Sequence, residues 1–337
     1  MNPFRYERVQ NIDEALQAAG QGGRFIAGGT NLLDLMKENV ERPGRLVDIN
    51  RLGLDQVEPL PDGGLRIGAL VRNADLASHP WILERYPLLG CALMAGASPQ
   101  LRNMATTGGN LMQRSRCYYF YDTATRCNKR APGSGCGAVG GCTRIHAILG
   151  ASEHCIAVHP SDMCVAMAAL DATVNVAGAR GRRSIPFQEF HRLPGDTPQY
   201  DNTLREGELI TSVDLPAQGF ASRYSYLKIR DRLSYAFALV SVAAALRLED
   251  DGSIAEARVA LGGVAHKPWR LPEAERMLAG ETPSVRSFTR FADALLEGAT
   301  GQGDNEFKIE LACRATVRAL TQAANGTPQS QVDKRIA

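Results

Sequence analysis

The sequence predicts an α+β chain in two parts: a larger region built of two α/β subdomains, and a smaller α+β layer after about residue 218. Three observations carry this. Strand, turn, helix and strand follow one another within about 25 residues near the N-terminus, the length of a compact βαβ unit. Beyond Pro216 the order changes, with apolar strand runs first and helical patterns after them, as in a separate α+β layer. The length of 337 residues suits about two domains.

The elements follow in order. "NIDEALQAAGQGG" is a capped helix with a glycine stop, "RFIAGG" a short strand, "TNLLDLMKENV" a helix and "GRLVDI" the next strand. "VEPLPDGGLRIGAL" is a hairpin around Pro-Asp-Gly-Gly, and "RNADLASHP" opens a short helix. A helical run over 88–94 leads into "GASPQLRNMATTGGNL", read as a loop of small residues. "SDMCVAMAALDA" is helical, "TVNVAGARGRRSI" a second hairpin and "ELITSVDLP" a strand. "AQGFASR" reads as a linker. "YSYLKIR", "AFALVSVAAALRLE" and "IAEARVALGGV" are antiparallel strands, followed by helices over 272–278, 285–296 and 305–323. The resulting division is a first domain over 1–218 with a cysteine-rich insert over 115–156, a second over 222–325, and a frayed tail over 326–337.

With 38 basic and 36 acidic residues, the net charge of +2 predicts neither nucleic-acid binding nor a polybasic membrane patch. The opening "MNPFRYERVQ" lacks the apolar run of a signal peptide, and no stretch reaches the roughly 20 apolar residues of a membrane span. Eight cysteines in that setting argue against a disulfide framework. Cys91, Cys164 and Cys313 lie in apolar, helix-like runs and read as buried small residues.

Three stretches carry candidate chemistry. In "FIAGGTNLLDL", Gly28 and Gly29 separate a strand from a helix, so the amides of Thr30 and Asn31 sit where a phosphate is favoured. A tight turn without a ligand is the equal alternative, since neither Walker nor G-x-G-x-x-G spacing is present. "RNMATTGGN" adds a second such loop around Gly108 and Gly109, and the pair suggests a dinucleotide held between two subdomains. The third is the cysteine segment. Cys117, Cys127, Cys136, Cys142 and Cys155 are separated by 9, 8, 5 and 12 residues, without the close pairs of zinc sites or the tight run of bacterial ferredoxins. "APGSGCGAVGGC" can bend around a cubane, and Arg116, Arg126, Lys129, Arg130 and Arg144 would offset four thiolates. Spacing ranks an iron–sulfur site above zinc, and both above disulfides. His146, His154 and His159 are assigned no metal. Asp162 reads as a helix-start residue and Lys228 as part of a solvated strand face. No catalytic triad or paired carboxylates stand out.

Taken together, "FIAGGTNLLDLMK", "LRIGALVRNADL", "QLRNMATTGGNL", "HPSDMCVAMAALDA" and "RVALGGVAHKPWR" resemble the FAD-binding medium subunit of the xanthine dehydrogenase/molybdenum hydroxylase family, in the family's order and through most of the chain. The insert "RCYYFYDTATRCNKRAPGSGCGAVGG…HAILGASEHC" is similar to that of the [4Fe–4S]-containing flavin subunits of bacterial periplasmic aldehyde oxidoreductases. The resemblance implies an FAD domain of vanillyl-alcohol-oxidase (PCMH) type and a C-terminal domain like that of CO dehydrogenase flavoprotein. It implies a pyrophosphate seat over Ile26, Ala27, Gly28, Gly29, Thr30, Asn31, Leu32, Leu33 and Asp34. It implies flavin contacts from Thr107, Gly108 and Asn110, with Asp162 and Lys228 also at FAD. For the [4Fe–4S] cluster it points to Cys117, Cys127, Cys136 and Cys155, leaving Cys142 without a role. The implied activity is electron transfer within a heterotrimeric, molybdenum-dependent aldehyde oxidoreductase. A large partner holds the molybdenum cofactor, a small partner holds [2Fe–2S] clusters, and FAD passes electrons to an external acceptor. The implied location is the periplasm, by export with a partner, with the cytoplasm as alternative. Rival readings are a flavin subunit of xanthine dehydrogenase or 4-hydroxybenzoyl-CoA reductase type, a stand-alone flavin oxidase, and a zinc-stapled interaction module.

Overall fold

The computed structural model describes residues 1–331. The first lobe holds β1 (Arg5–Arg8), α1 (Ile12–Gly20), β2 (Arg24–Ile26), α2 (Leu32–Lys37) and β3 (Arg45–Asp48). Its three strands are parallel, in the order β1-β3-β2. The expected βαβ unit is therefore present, with an additional edge strand. β1 escaped the sequence reading because "RYER" is almost wholly exposed and carries no apolar alternation. Asn11 caps α1 by accepting the Glu14 N–H at 2.9 Å, and the Glu14 carboxylate accepts the Gln10 N–H at 2.8 Å.

The second lobe opens with the hairpin β4 (Val57–Pro59) and β5 (Leu65–Gly68). Short helices follow: α3 (Asn73–Ser78), α4 (Pro80–Arg85), α5 (Pro87–Ala95), α6 (Pro99–Arg102), α7 (Thr107–Leu111) and α8 (Tyr118–Tyr121). After the cysteine segment come α9 (Asp162–Ala169), β6 (Thr173–Gly178), β7 (Gly181–Pro186), α10 (Phe187–Phe190) and β8 (Leu209–Leu215). The strands form one antiparallel sheet, β4-β5-β8-β6-β7. The stretch read as a loop, 96–111, contains α6 and α7. Each is about one turn long, too short to show periodicity, and each is capped by a hydroxyl, Ser98 or Thr106. Every residue of α9 is buried, so this helix has no solvent face.

The C-terminal layer contains β9 (Tyr224–Ile229), β10 (Val240–Leu248) and β11 (Ile254–Gly262), antiparallel in the order β11-β10-β9. Then come α11 (Pro272–Glu275), a 3-10 turn, α12 (Val285–Leu295) and α13 (Phe307–Asn325). β10 is buried on both faces. Val240, Val242, Ala244 and Leu246 share a core with residues of α12 and α13. The alternate residues Ala243 and Ala245 join the core that contains α9. The small side chains on that face let α9 approach the sheet, and at Gly262 a Cβ would lie 2.5 Å from a Val165 methyl. Arg270 pins the same seam: it binds the Glu275 carboxylate through two nitrogens at 2.7 and 2.8 Å and reaches the Ala168 carbonyl at 2.8 Å.

The expected linker is packed: Phe220 is buried, and the Tyr86 hydroxyl donates to the Pro216 carbonyl at 2.7 Å. The start of the tail is also docked, with the Gln331 side-chain amide donating to the Tyr226 carbonyl at 2.9 Å. Residues 332–337 of that tail lie outside the described residues. Cys164 is buried as expected, whereas Cys91 and Cys313 are only half-buried, because each sits toward the outer face of its helix.

Candidate functional site

The β2–α2 turn and the loop before α7 meet backbone to backbone. A Cβ placed on Gly28 would fall 1.8 Å from the Met104 carbonyl oxygen, so only glycine fits there, and Gly29 has φ +70°. Among the described residues, the N–H groups of Gly28, Gly29, Thr30, Asn31 and Leu32 find no hydrogen-bond acceptor in the protein. The buried Asn31 Nδ2 is likewise unpartnered, while Asn31 Oδ1 accepts the Arg114 N–H at 3.0 Å. A row of free amides at the start of a helix fits a phosphate. Asp34, in the first turn of α2, is exposed and accepts the Tyr121 hydroxyl at 2.9 Å.

The second loop is wired differently. The amides of Thr107 and Gly108 donate to Val71 and Ala69 carbonyls at 2.9 and 2.8 Å, which fixes the loop on β5 and the turn after it. Asn110 Oδ1 accepts from the Ser161 hydroxyl at 2.6 Å. Ser161 caps α9, whose first residue is Asp162. Lys228 from β9 donates to Asp162 at 2.8 Å and to the Ala95 carbonyl at 3.1 Å, and Tyr226 donates to the other Asp162 oxygen at 2.7 Å. The Lys228 side chain is 3% exposed, so the solvated-face reading of this residue is corrected: β9 turns that face into the first domain. Tyr226, two residues earlier on the same strand face, went unnoticed, although period-two spacing links it to Lys228.

The cysteine segment closes on itself. Cys117 precedes α8, Cys127 and Cys136 lie on paired backbone segments, and Cys155 follows a turn closed back to Ser152. Gly135, at φ +92°, supplies the bend beside Cys136. Cys117, Cys127, Cys136 and Cys155 line one small pocket together with Arg126, Lys129 and aliphatic residues. Cys142 does not line it and is exposed. Three of the five expected cations also turn away. Arg130 binds the Tyr119 and Phe120 carbonyls, Arg144 pairs with Asp231, and Arg116 binds the Arg114 carbonyl. Burial pushes the Cys117 thiol up to about 12 and Cys155 to about 11, so these groups give up their protons only to a strongly held cation.

A half-buried polar relay that the sequence did not reveal, with Lys129 its one fully buried member, joins the two regions. Arg114 reaches Asp201 at 2.7 Å and Glu41 at 2.5 Å, and Lys129 reaches the other Asp201 oxygen at 2.6 Å. Burial alone would raise the Asp201 carboxyl, but Lys129, Arg114 and His266 outweigh it and hold the group well below the usual carboxylate range. Beyond it, the His191 Nε2–H donates to the Leu111 carbonyl at 3.0 Å, and its ring centre lies 4.2 Å from that of His159, with the two rings tilted at 48°.

With this geometry in place, comparison with known proteins is decisive. Residues 2–218 match the FAD binding domain in molybdopterin dehydrogenase, and residues 224–323 match the CO dehydrogenase flavoprotein C-terminal domain. The chain belongs to the molybdopterin dehydrogenase FAD-binding family. It is 52% identical to the aldehyde oxidoreductase FAD-binding subunit PaoB of Escherichia coli (strain K12) over 326 residues, 96% of this chain and 99% of that one. It is 26% identical to the carbon monoxide dehydrogenase medium chain of Hydrogenophaga pseudoflava, over 95% of this chain and 96% of that one. Carbon monoxide dehydrogenase from Hydrogenophaga pseudoflava is also similar in structure, with a TM-score of 0.76 at 26% identity, covering 96% and 98% of the two chains. Quinoline 2-oxidoreductase from Pseudomonas putida 86 gives 0.73 at 25% identity, covering 97% and 98%. The chain is therefore the FAD-binding medium subunit of a molybdenum hydroxylase, and the free amides after β2 fit the cofactor this family binds.

Two outcomes follow. Gly28→Ala forces the two loops apart and is expected to yield folded protein with most of its FAD lost, read as the flavin-to-protein absorbance ratio; full occupancy would contradict the seat described here. Burial pushes His191 and His266 down to about 4 in the folded chain, against about 6.5 when unfolded. The unfolded chain thus takes up protons first, so their contribution is complete above about pH 6.5 and is lost as pH falls toward about 4. Each histidine is expected to cost about 1.4 kcal/mol per pH unit in that window. Denaturant midpoints that stay flat across it would refute this.

Proposed function

We propose that this chain is the FAD- and [4Fe–4S]-containing electron-transfer subunit of a heterotrimeric, molybdenum-dependent aldehyde oxidoreductase. The observation that carries the reading is the convergence of Cys117, Cys127, Cys136 and Cys155, far apart in sequence, on one pocket that excludes Cys142. Among the described residues, no three of these sulfurs lie within 4.8 Å of one another. A tetrahedral zinc ion, with Zn–S near 2.3 Å, would need sulfurs about 3.8 Å apart. The wider set favours a cubane. The neighbouring Tyr119, Phe120 and Ala157 backbone groups partly offset the burial that raises the Cys117 and Cys155 thiols. The 52% identity to an aldehyde oxidoreductase subunit supports the substrate class.

FAD, when bound, exchanges electrons singly with iron–sulfur centres and in pairs with organic acceptors. The chain's own residues do the holding. Ile26 to Asp34 receive the pyrophosphate through main-chain N–H groups. The Thr107, Gly108 and Asn110 loop, fixed on β5, presents the edge nearer the flavin ring. Asp162 and Lys228 form a neutralised pair beside it, so the ring site gains hydrogen-bonding groups without a net charge. No acid–base pair for an organic substrate is required in this chain. The aldehyde is oxidised at a molybdenum cofactor in a large partner, and electrons arrive through [2Fe–2S] clusters of a small partner. The assembled complex resides in the periplasm, carried there folded by a partner's signal.

The purified protein is expected to carry flavin and about four irons per chain. Replacing Cys117, Cys127, Cys136 or Cys155 by serine should remove most of the iron, and Cys142→Ser should leave it in place. Zinc instead of iron, or iron loss on replacing Cys142, would overturn the ligand set. Spheroplast fractionation checks the compartment, and a complex found only in the cytosol would sink that part.

A further inference from the structure

We propose that His146 is a positioning residue for the cluster: its Nε2–H donates to the Cys117 sulfur, favours the reduced cluster, and is held in place by the C-terminal domain. The inference rests on the [4Fe–4S] reading above. The ring nitrogen lies 3.1 Å from Cys117 Sγ, and both residues are buried. A metal-bound sulfur is a thiolate with no proton to give, so at this distance the ring must be the donor. The other ring nitrogen supports the same tautomer. Nδ1 is buried and has no partner among the described residues. A proton placed there would be an unsatisfied buried donor, whereas a proton on Nε2 is used.

The ring does not hold itself. The His146 carbonyl accepts from Lys308 Nζ at 2.7 Å, in the first turn of α13, and from Asn305 Nδ2 at 3.0 Å, just before that helix. Lys308 is fully buried and also donates to the Gly263 carbonyl at 2.5 Å. Three residues earlier, the Thr143 amide donates to Asp304 at 3.2 Å, and the Asp304 amide returns a bond to the Thr143 hydroxyl at 2.8 Å. The segment carrying His146 is thus clamped from the far domain at two points, and the backbone rather than the imidazole bears the clamp. Outer partners of this kind tune a metal centre. Reduction adds one negative charge to a cluster, so a donor to a ligand sulfur stabilises the reduced form more than the oxidised one.

The test is a redox titration of the anaerobically purified full chain, in whatever complex it forms, following the low-temperature EPR signal of the reduced cluster. Iron and that signal in the unaltered protein establish the cluster; their absence sinks the earlier reading and is distinct from failure of this one. His146→Phe keeps the ring's bulk and removes the donor. It is expected to shift the one-electron equilibrium about tenfold toward the oxidised cluster, about 59 mV lower in midpoint. His146→Gln, which keeps an N–H, is expected to recover most of that shift. An unchanged midpoint in the Phe variant overturns the proposal, and so does an equal fall in both variants, which would assign the effect to packing. Should the Phe variant lose its iron, Lys308→Met decides: it leaves the ring and loosens the clamp, so a lowered midpoint supports the proposal and an unchanged one defeats it.

Discussion

The Asp162 carboxylate, removed from water and held by Lys228 and Tyr226, is the contact on which the arrangement of this subunit turns. Two opposite charges taken into a protein interior recover their desolvation cost only when hydrogen bonds complete them, and loss of one partner costs about 3–5 kcal/mol. Here the completing groups come from the other domain. Asp162 also begins α9, and the residue before it reaches Asn110. One seam therefore registers the C-terminal sheet, the buried helix and the segment carrying Asn110 against one another. Ala243 and Ala245 of β10 serve the same end, since larger side chains there would hold α9 off the sheet.

The cysteine segment obeys a different economy. Its own apolar core is small, built around Phe120, Ala138, Ile156, Ala157 and the thiols themselves, with Leu35 borrowed from α2. Such a core holds a long, glycine-rich loop only with outside support. Support comes from three directions: α13 on the His146 carbonyl, Asp201 on Lys129, and Arg114 on Phe120, whose ring centre lies 4.8 Å from the guanidinium. The same Arg114 supplies the amide that orients Asn31. The β2–α2 turn and the thiol pocket thus share a brace, although neither lies next to the other in sequence.

Most of the fold was legible because its longer elements have clear periodicity and punctuation, as in the capped helix at Asn11 and the Pro-Asp-Gly-Gly hairpin. The loop glycines and the five clustered cysteines were legible because their residue types are unusual in such company, whereas the choice of four among the five came from the family resemblance alone. What escaped had a common cause. Lys228 is assigned to FAD by the resemblance, but its burial was not legible, because the alternation of its strand reveals two faces and not which one another domain will cover. α6 and α7 are shorter than any pattern. The Arg114–Asp201–Lys129 relay and the His146 clamp join residues far apart in the chain, where no local signal exists to find them.

The meeting of Gly28 with Met104 has a consequence for maturation. The free amides of Gly28 to Leu32 belong to one lobe and the Met104 carbonyl behind them to the other, so on the proposed reading neither lobe offers a finished nucleotide site alone. Nucleotide affinity is then linked to closure of the lobes, and ligand present in excess stabilises the closed form by mass action. On that reading, a newly made chain short of the vitamin-derived cofactor lacks this stabilisation of the closed form.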